Sequence, residues 1–473
     1  MEQDFDKCKV NTNIMVQKLD DLGYRINRKK SVLIPTKRIV FFGLIIDTEV
    51  FKVFLTDEKV DKIISLGHSI LQQKNVVIRC LASFIGLIVH AFYAVTFGPL
   101  HYRNLERNKV CALRNSFGNF ESIVFINEDS KNDINWWISN LKSANGKFIR
   151  QKSIDCWIET DASLEGWGSK FNEQFAGGRW SKDEYSHHIH FLELLAIFLS
   201  LKTFFTHKKS LHIGIRSDNT TAVAYVNEMG GMTSILLDNL SAEIWSWCSE
   251  RDMFLTAQYI PGNENFNDDH VSRNFTYLTE WKLKSEIFHR ICNHFFLPDI
   301  DLFASRLNCQ LPKYVSWSFD PRAIFTDAFT ISWSEFKPYI FPPFSLIGKV
   351  MLKIISDKVE KAILNVPFWP AQNWFSLLNS NLISLPVRLP RHTDLLIMPH
   401  SGEVHPLRKR LNLIVCVVSG RRYLTVEFQQ SLPVLSCHHG DQPQTNNISL
   451  LGENLYFGAV NGRLIHFNHL KRM

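Results

Sequence analysis

The chain has 473 residues, 45% of them apolar and 21% charged, with a formal net charge of +7. That length predicts two or three domains, and that balance describes a soluble globular protein whose basic excess is compatible with a polyanionic partner without requiring one. Nine cysteines occur without a CxxC pair, which excludes a zinc ribbon or disulfide framework and predicts reduced thiols in an intracellular compartment, cytoplasmic or nuclear.

The N-terminus "MEQDFDKCKV" is acidic and lacks the apolar stretch of a signal peptide. A helix follows and stops at "LGYRIN", with Gly23 as its C-cap. Next come a basic connection (Arg25, Arg28, Lys29, Lys30) and the short strands "SVLIP" and "RIVFFGLIID", the second divided by Gly43. "TDEKVDKIISLGHSILQQ" opens a helix at Thr56 and Glu58, with Asp61 adding dipole support. "CLASFIGLIVHAFYAVTFGPL", residues 80–100, approaches the length of a bilayer span. His90, two internal glycines and the flanking Arg79 and Arg103 predict a buried helix pair instead, so no transmembrane segment is expected.

From 153 the rhythm changes. "SIDCWIE", "GWGSKF" and "FAGGRW" read as strands between glycine and polar turns, followed by the helix "FLELLAIFLSLKTFF", too apolar all round for a surface helix. The strand "LHIGIRS", the helix "NTTAVAYVNE", a longer helix near 234–250, the strand "MFLTAQYI" and a short helix after "PGNENFN" complete a mixed sheet with helices on its faces. Residues 281–400 are rich in Trp, Phe and Pro, with strand ends at "YIFPPFSLI" and "AILNVPFWP". Beyond 401 periodic signals are few, and "CHHGDQPQTNN" reads as an exposed loop.

Four acids sit at element ends in the middle block. Asp161 ends the first strand, Glu193 falls in the first turn of the apolar helix, Asp218 follows "LHIGIRS", and Asp269 lies in "NDDHVSR". Asp161 as a turn residue, Asp218 as an N-cap and Asp269 as dipole support are each ordinary. Glu193 is harder to dismiss, because both its flanks are apolar and a buried unpaired carboxylate is costly unless protonated. A shared cation removes that cost. Oxygen-only ligands suit Mg²⁺ or Mn²⁺ rather than zinc, and two such ions ~3.5–4 Å apart serve in-line attack on a phosphodiester.

"TDASLEGWG", "HIHFLELLAI", "RSDNTTAVAYV" and "IPGNENFNDDHVSR", in that order and spacing, resemble the ribonuclease H domain of retroelement reverse transcriptases, above all those of DIRS-type, tyrosine-recombinase retrotransposons. The resemblance implies a five-stranded mixed sheet flanked by helices. It places the metal-binding acids at Asp161, Glu193, Asp218 and Asp269, with two Mg²⁺ (or Mn²⁺) ions, and implies hydrolysis of the RNA strand of an RNA–DNA hybrid. Two positions depart from the family pattern: His190 stands in place of Asn, and Asp268 in place of Ala. A zinc site at His187, His188 and His190 is not expected.

The resemblance extends to both sides. "KLDDLGYRINRKKSVLIPTKRIVFFGLIID" is similar to the palm end of a reverse transcriptase and "LASFIGLIVHAFYAVTFGPLHYRNL" to its thumb, so the fingers and most of the palm would precede residue 1. Asp20 and Asp21, at a helix end, read as solvated rather than as a polymerase acid pair, and no primer extension is expected. Arg28, Lys29, Lys30, Lys37 and Arg38 are candidates to track a nucleic-acid backbone. Downstream, "DIDLFASRLNCQLPKY…YIFPPFSLI" resembles an adenine-N6 methyltransferase-like domain. Phe341 replaces the polar residue before Pro342 and Pro343, which implies degeneracy, and Asp301 stands where a cofactor-side acid could fall.

The expected architecture is α/β and multi-domain. Truncated palm end and thumb occupy 1–115, a connection 116–152, the ribonuclease H-like domain 153–280, the degenerate methyltransferase-like domain 281–400 and an irregular tail 401–473. Expected partners are an RNA–DNA hybrid and a separate polymerase-bearing chain, with no membrane. The alternative is a catalytically inactive relic or co-opted nucleic-acid-binding module.

Overall fold

The computed structural model describes residues 4–149, 153–262, 281–390, 394–434 and 457–470. Asp268, Asp269, the short helix expected after Asn267 and the loop "CHHGDQPQTNN" lie outside them. The architecture is mixed α/β with several sheets. Contacts divide the chain into two units, Met1–Asp155 with Ala224–Phe254 and Cys156–Val223 with Leu255–Met473.

In the first unit, helix α1 (Phe5–Asp21) is capped by the Asp4 carboxylate, which accepts from the Asp6 and Lys7 N–H groups. It ends at Gly23, whose φ of +82° suits the left-handed cap, and the Tyr24 N–H donates back to the Leu19 carbonyl. "SVLIP" forms no strand. Pro35 has no N–H to give a ladder, and the Ser31 hydroxyl instead closes a local turn onto the Asn27 carbonyl at 2.9 Å.

"RIVFFGLIID" folds into a hairpin of β1 (Arg38–Phe41) and β2 (Leu44–Asp47). Phe42 and Gly43 supply the two positive φ values, 50° and 73°, that a tight hairpin turn needs. Strand β3 (Lys52–Leu55) extends the sheet, and α2 (Asp57–Gln72) starts directly after Thr56.

The apolar stretch 80–100 yields one helix rather than a pair. Strand β4 (Val76–Val77) leads into α3 (Ile78–Ala91), and beyond Phe92 only the 3-10 turn Gly98–His101 is helical, with Pro99 in its first positions. Leu81, Phe84, Ile85 and Ile88 join a core with Ile63, Ile134 and Trp137. Helix α4 (Arg103–Asn115), β5 (Ile123–Val124), α5 (Glu128–Ala144) and β6 (Lys147–Phe148) complete the run, with β4 pairing β5 and β6 pairing β3. Among the described residues, no helix is long and apolar enough to cross a membrane.

The second unit holds the five-stranded sheet. Strands β7 (Cys156–Ala162), β8 (Gly166–Phe171) and β9 (Gln174–Arg179) form an antiparallel meander. The short helix α6 (Lys182–Tyr185) and the long helix α7 (Ile189–Phe205) lead to β10 (His212–Ser217), which returns parallel to β7. Helix α7 packs against β7 and β8. It buries residues around its whole circumference, from Leu192 through Phe205, as its composition predicts. The chain runs through helix α8 (Thr220–Asn227) and helix α9 (Ile235–Ser249), the latter grouped with the first unit, before β11 (Phe254–Tyr259), and the sheet order is β11-β10-β7-β8-β9.

The outer strand β9 does not end at solvent along its full length. Ala176 forms a parallel bridge with Phe319, and the Arg306 guanidinium donates to Glu184 Oε1 at 2.6 Å and to the Arg179 carbonyl at 3.0 Å.

Beyond residue 281 a six-stranded sheet runs in the order Ile300–Asp301, Pro338–Ile340, Ala362–Pro367, Leu413–Val418, Val387–Arg388 and Asn468–His469. Residues after 401 are therefore not an irregular tail throughout. Leu413–Val418 is buried along its length and pairs antiparallel with Ala362–Pro367. A strand buried on both faces has no polar alternation to display, which is why periodicity missed it.

Candidate metal centre

The register of β7 and β10 builds the site. Arg216 pairs with Glu159 across the parallel ladder, so the next positions on the same face are Asp218 and Asp161. Asp161 is the penultimate residue of β7, opposite Gly168 of β8, at the strand end where the sequence puts it. Asp218 directly follows β10. Capping of α8 falls to its neighbour: the Asn219 Oδ1 accepts from the Ala222 N–H at 3.0 Å, so the helix does not need Asp218 as its N-cap.

Glu193 sits in the second turn of α7, not the first. The helix begins at Ile189 because the His188 ring acts as N-cap, its Nδ1 accepting from the His190 N–H at 3.3 Å. Histidine is not among the common N-cap residues, and the sequence therefore suggests a later start.

Ligand oxygens of Asp161, Glu193 and Asp218 all lie within 4.8 Å of one another, and no other cluster of this kind occurs among the described residues. Asp161 is 6% exposed and Glu193 4%. Glu193 Oε2 is buried without a hydrogen-bond partner. Burial first, then the Asp161 and Asp218 charges, push the Glu193 carboxyl up to about 9, against a smaller opposing effect of the Ala162 N–H. At neutral pH the cluster therefore holds either a proton or a cation. Three carboxylates, two of them buried and one with an orphaned oxygen, fit a hard divalent cation of the Mg²⁺ or Mn²⁺ type and contain no soft donor for zinc.

The three histidines do not gather as ligands. His188 caps α7, the His190 Nδ1 lies 3.0 Å from the Asn219 Nδ2, and the His187 ring packs on Phe191 with centroids 4.2 Å apart.

In the first unit, three of the five basic candidates carry acidic neighbours: Arg28 with Asp20 at 3.3 Å, Lys37 with Glu49 at 3.0 Å and Arg38 with Asp47 at 3.9 Å. Lys29 and Lys30 are exposed. Asp20 and Asp21 are solvent-facing, Asp21 accepting from Gln17.

In the six-stranded sheet, Asp301 is buried and accepts from the Gln310 N–H at 3.1 Å; burial raises its carboxyl to about 7. Phe341 packs against the core around Tyr339 and Ile363. Sequence reasoning missed Asn219 and Arg216. The first follows from an Asn before a helix-compatible run, the second only from strand register.

No family model matches the chain. Over 131 residues it is 30% identical to the enzymatic polyprotein of cauliflower mosaic virus strain D/H, a match covering 25% of this chain and 19% of that one. The Strasbourg strain's polyprotein matches with the same identity and coverage. This chain is thus similar, over a quarter of its length, to a viral enzymatic polyprotein, and it spans about a fifth (19%) of the length of the curated relatives it matches.

Among solved structures, a foamy viral protease-reverse transcriptase in complex with an RNA/DNA hybrid aligns at 15% identity, 55% of this chain, 34% of that one and a TM-score of 0.28. RNase H1 of Halobacterium salinarum aligns at 12% identity, 24% of this chain, 91% of that one and a TM-score of 0.20.

Proposed function

We propose that the carboxylate cluster is the centre of a retroelement-derived ribonuclease H that hydrolyses the RNA strand of RNA–DNA hybrids using two divalent ions. The observation that supports this reading is the convergence of Asp161, Glu193 and Asp218 from three separate elements, with Glu193 Oε2 buried and unpartnered. Asp161, Glu193 and Asp218 would hold the ions together with Asp269. Once bound, Mg²⁺ or Mn²⁺ would supply Lewis-acid polarisation of a phosphoryl oxygen and acidify a water molecule.

The residues themselves do the positioning. Asp161 is fixed by its ladder to β8 and Asp218 by the β10 end, so both acids are held by backbone rather than by flexible loop. Glu193 keeps a proton in the cation-free protein and releases it on loading. Burial of Asp161 and Glu193 excludes water from the ligand side of the site and strengthens each charge interaction there.

In the same reading the element is of DIRS type. Residues 1–115 derive from a palm end and thumb, 116–152 from the connection, 153–280 from the ribonuclease H domain and 281–400 from a degenerate methyltransferase-like domain. Arg28, Lys29, Lys30, Lys37 and Arg38 track phosphates, and a separate chain supplies polymerisation. The test is cleavage of an end-labelled RNA–DNA hybrid by the full chain in Mg²⁺ or Mn²⁺, with duplex DNA spared and with Asp161→Asn and Asp218→Asn as controls. Wild-type activity in either control refutes the assignment. Hybrid binding without any cleavage favours the co-opted binding module, a reading to which Asp268, an extra charge beside Asp269, lends support.

A further inference from the structure

We infer that Arg216, seated between the Trp157 ring and the Glu159 carboxylate on the strand face that carries Asp161 and Asp218, is a contact for a backbone phosphate of the bound hybrid. The inference rests on the proposed function and adds to it a binding residue outside the acid cluster.

Strand alternation places Trp157, Glu159 and Asp161 of β7 on one face, and the parallel register sets Gly214 opposite Trp157 and Arg216 opposite Glu159. Gly214 has a specific role in this arrangement. A Cβ added there would collide with the Trp157 ring, so only glycine lets the indole lie against the β10 backbone. The Arg216 guanidinium carbon then lies over that ring, 4.8 Å from its centroid, and Nη1 donates to Glu159 Oε1 at 3.0 Å. The side chain is thus held from two sides, yet remains 39% exposed.

One residue, Ser217, separates Arg216 from Asp218, a step of about 7 Å at the end of β10. A nucleic-acid strand whose reacting phosphate sits at the acid cluster brings a neighbouring phosphate within reach of a guanidinium at that distance. Arginine carries five N–H donors in a planar fork, and the Glu159 bond engages Nη1 alone, which leaves donors for two phosphate oxygens. A half-exposed ion pair contributes little to stability by itself, so strand stapling is a weak reason for this arrangement.

The two partners of Arg216 make the idea testable, because they act with opposite sign on a phosphate. Trp157 orients the guanidinium, whereas the Glu159 carboxylate competes with the phosphate for it and repels it. The experiment measures the Kd of a fluorescent RNA–DNA hybrid for the full chain across a salt series, together with KM and kcat for cleavage in Mg²⁺ and a thermal melt of each variant.

Arg216→Gln is expected to weaken binding about tenfold and to reduce the slope of log Kd against log salt by about one, the loss falling on KM rather than kcat. Glu159→Gln is expected to tighten binding several-fold, and Arg216→Lys to lie between Arg216→Gln and wild type. If Arg216→Gln and Glu159→Gln shift Kd in the same direction, or lower the melting temperature while leaving Kd and salt slope unchanged, the pair is a strand staple and the phosphate contact is refuted. A wild-type chain that cleaves the hybrid while Arg216→Gln is unaltered overturns the contact alone. A wild-type chain that neither binds nor cleaves the hybrid overturns the proposed function and the contact with it.

Discussion

Replacing Glu193 with glutamine should make the cation-free protein more stable at neutral pH, the reverse of the usual effect of altering a buried residue. Glu193 has an unfolded-state value of 4.5 and a folded value raised to about 9 by burial and by the charges of Asp161 and Asp218. Because the folded value is the higher, the group's favourable contribution is complete below 4.5 and is lost as pH rises from there through about 9. At about pH 7 the unfolded carboxyl is ionised while the folded one must hold its proton, a loss of about 3 kcal/mol at 1.36 kcal/mol per pH unit.

Glutamine has nothing to titrate, and its amide N–H can donate to either neighbouring carboxylate. In a domain of this size about 3 kcal/mol corresponds to roughly 6–12 °C in melting temperature. Differential scanning calorimetry in EDTA should therefore show Glu193→Gln melting higher than wild type at about pH 7, with the gap closing as pH falls toward 4.5. Added Mg²⁺ should reverse the order, stabilising wild type and leaving the variant nearly unmoved, since binding to the native state alone raises stability by mass action. A variant that melts below wild type in EDTA at about pH 8, or an equal Mg²⁺ shift in both proteins, would refute the account of the cluster as a cation site held in check by its own repulsion.

Asp161→Asn and Asp218→Asn should each abolish hybrid cleavage while the far-ultraviolet circular dichroism spectrum stays that of wild type, and turnover by either variant shows the acids misassigned. Asp133, raised to about 7 by burial, stands 3.9 Å from His101, lowered to about 4 by burial, so the two meet as neutral groups between about pH 4 and 7 rather than as an ion pair. The Asp133 contribution is complete below 3.8 and is lost as pH rises through about 7; Asp133→Asn should melt higher than wild type at about pH 8 and converge with it in acid. Arg306→Ala leaves the Glu184 carboxylate, 21% exposed in its side chain, with the Ser181 N–H that donates to it at 2.8 Å, and should destabilise the second unit by about 1–2 kcal/mol in chemical denaturation. A change below about 0.5 kcal/mol would show the contact to be incidental.

Much of the five-stranded sheet was legible because its strands alternate and its turns are marked by glycine, and the helix α7 because its apolar run is too long for a strand. The acids at 161, 193 and 218 were legible for a related reason: each interrupts a pattern that burial would otherwise keep apolar. What the sequence hid was whatever depended on a partner in space. "SVLIP" has strand composition but no ladder to join, and 80–100 is mostly apolar although turns after Ala91 end the helix. Leu413–Val418 is a central strand whose neighbours lie about 50 and 25 residues away in sequence. The pairing of Arg216 with Glu159 needs the register of two strands separated by the whole of α7.

The bridge from Ala176 to Phe319, with Arg306 across the end of β9, bears on what the residues beyond 281 do for the five-stranded sheet. β9 is the last strand of its sheet, and an uncovered last strand offers its unpaired N–H and C=O groups to any passing chain. The segment around Phe319 occupies part of that edge in cis. Excising residues 153–280 would bare it, and the excised piece should self-associate through β9 more readily than the full chain. On this view the C-terminal block acts as a built-in chaperone for its neighbour.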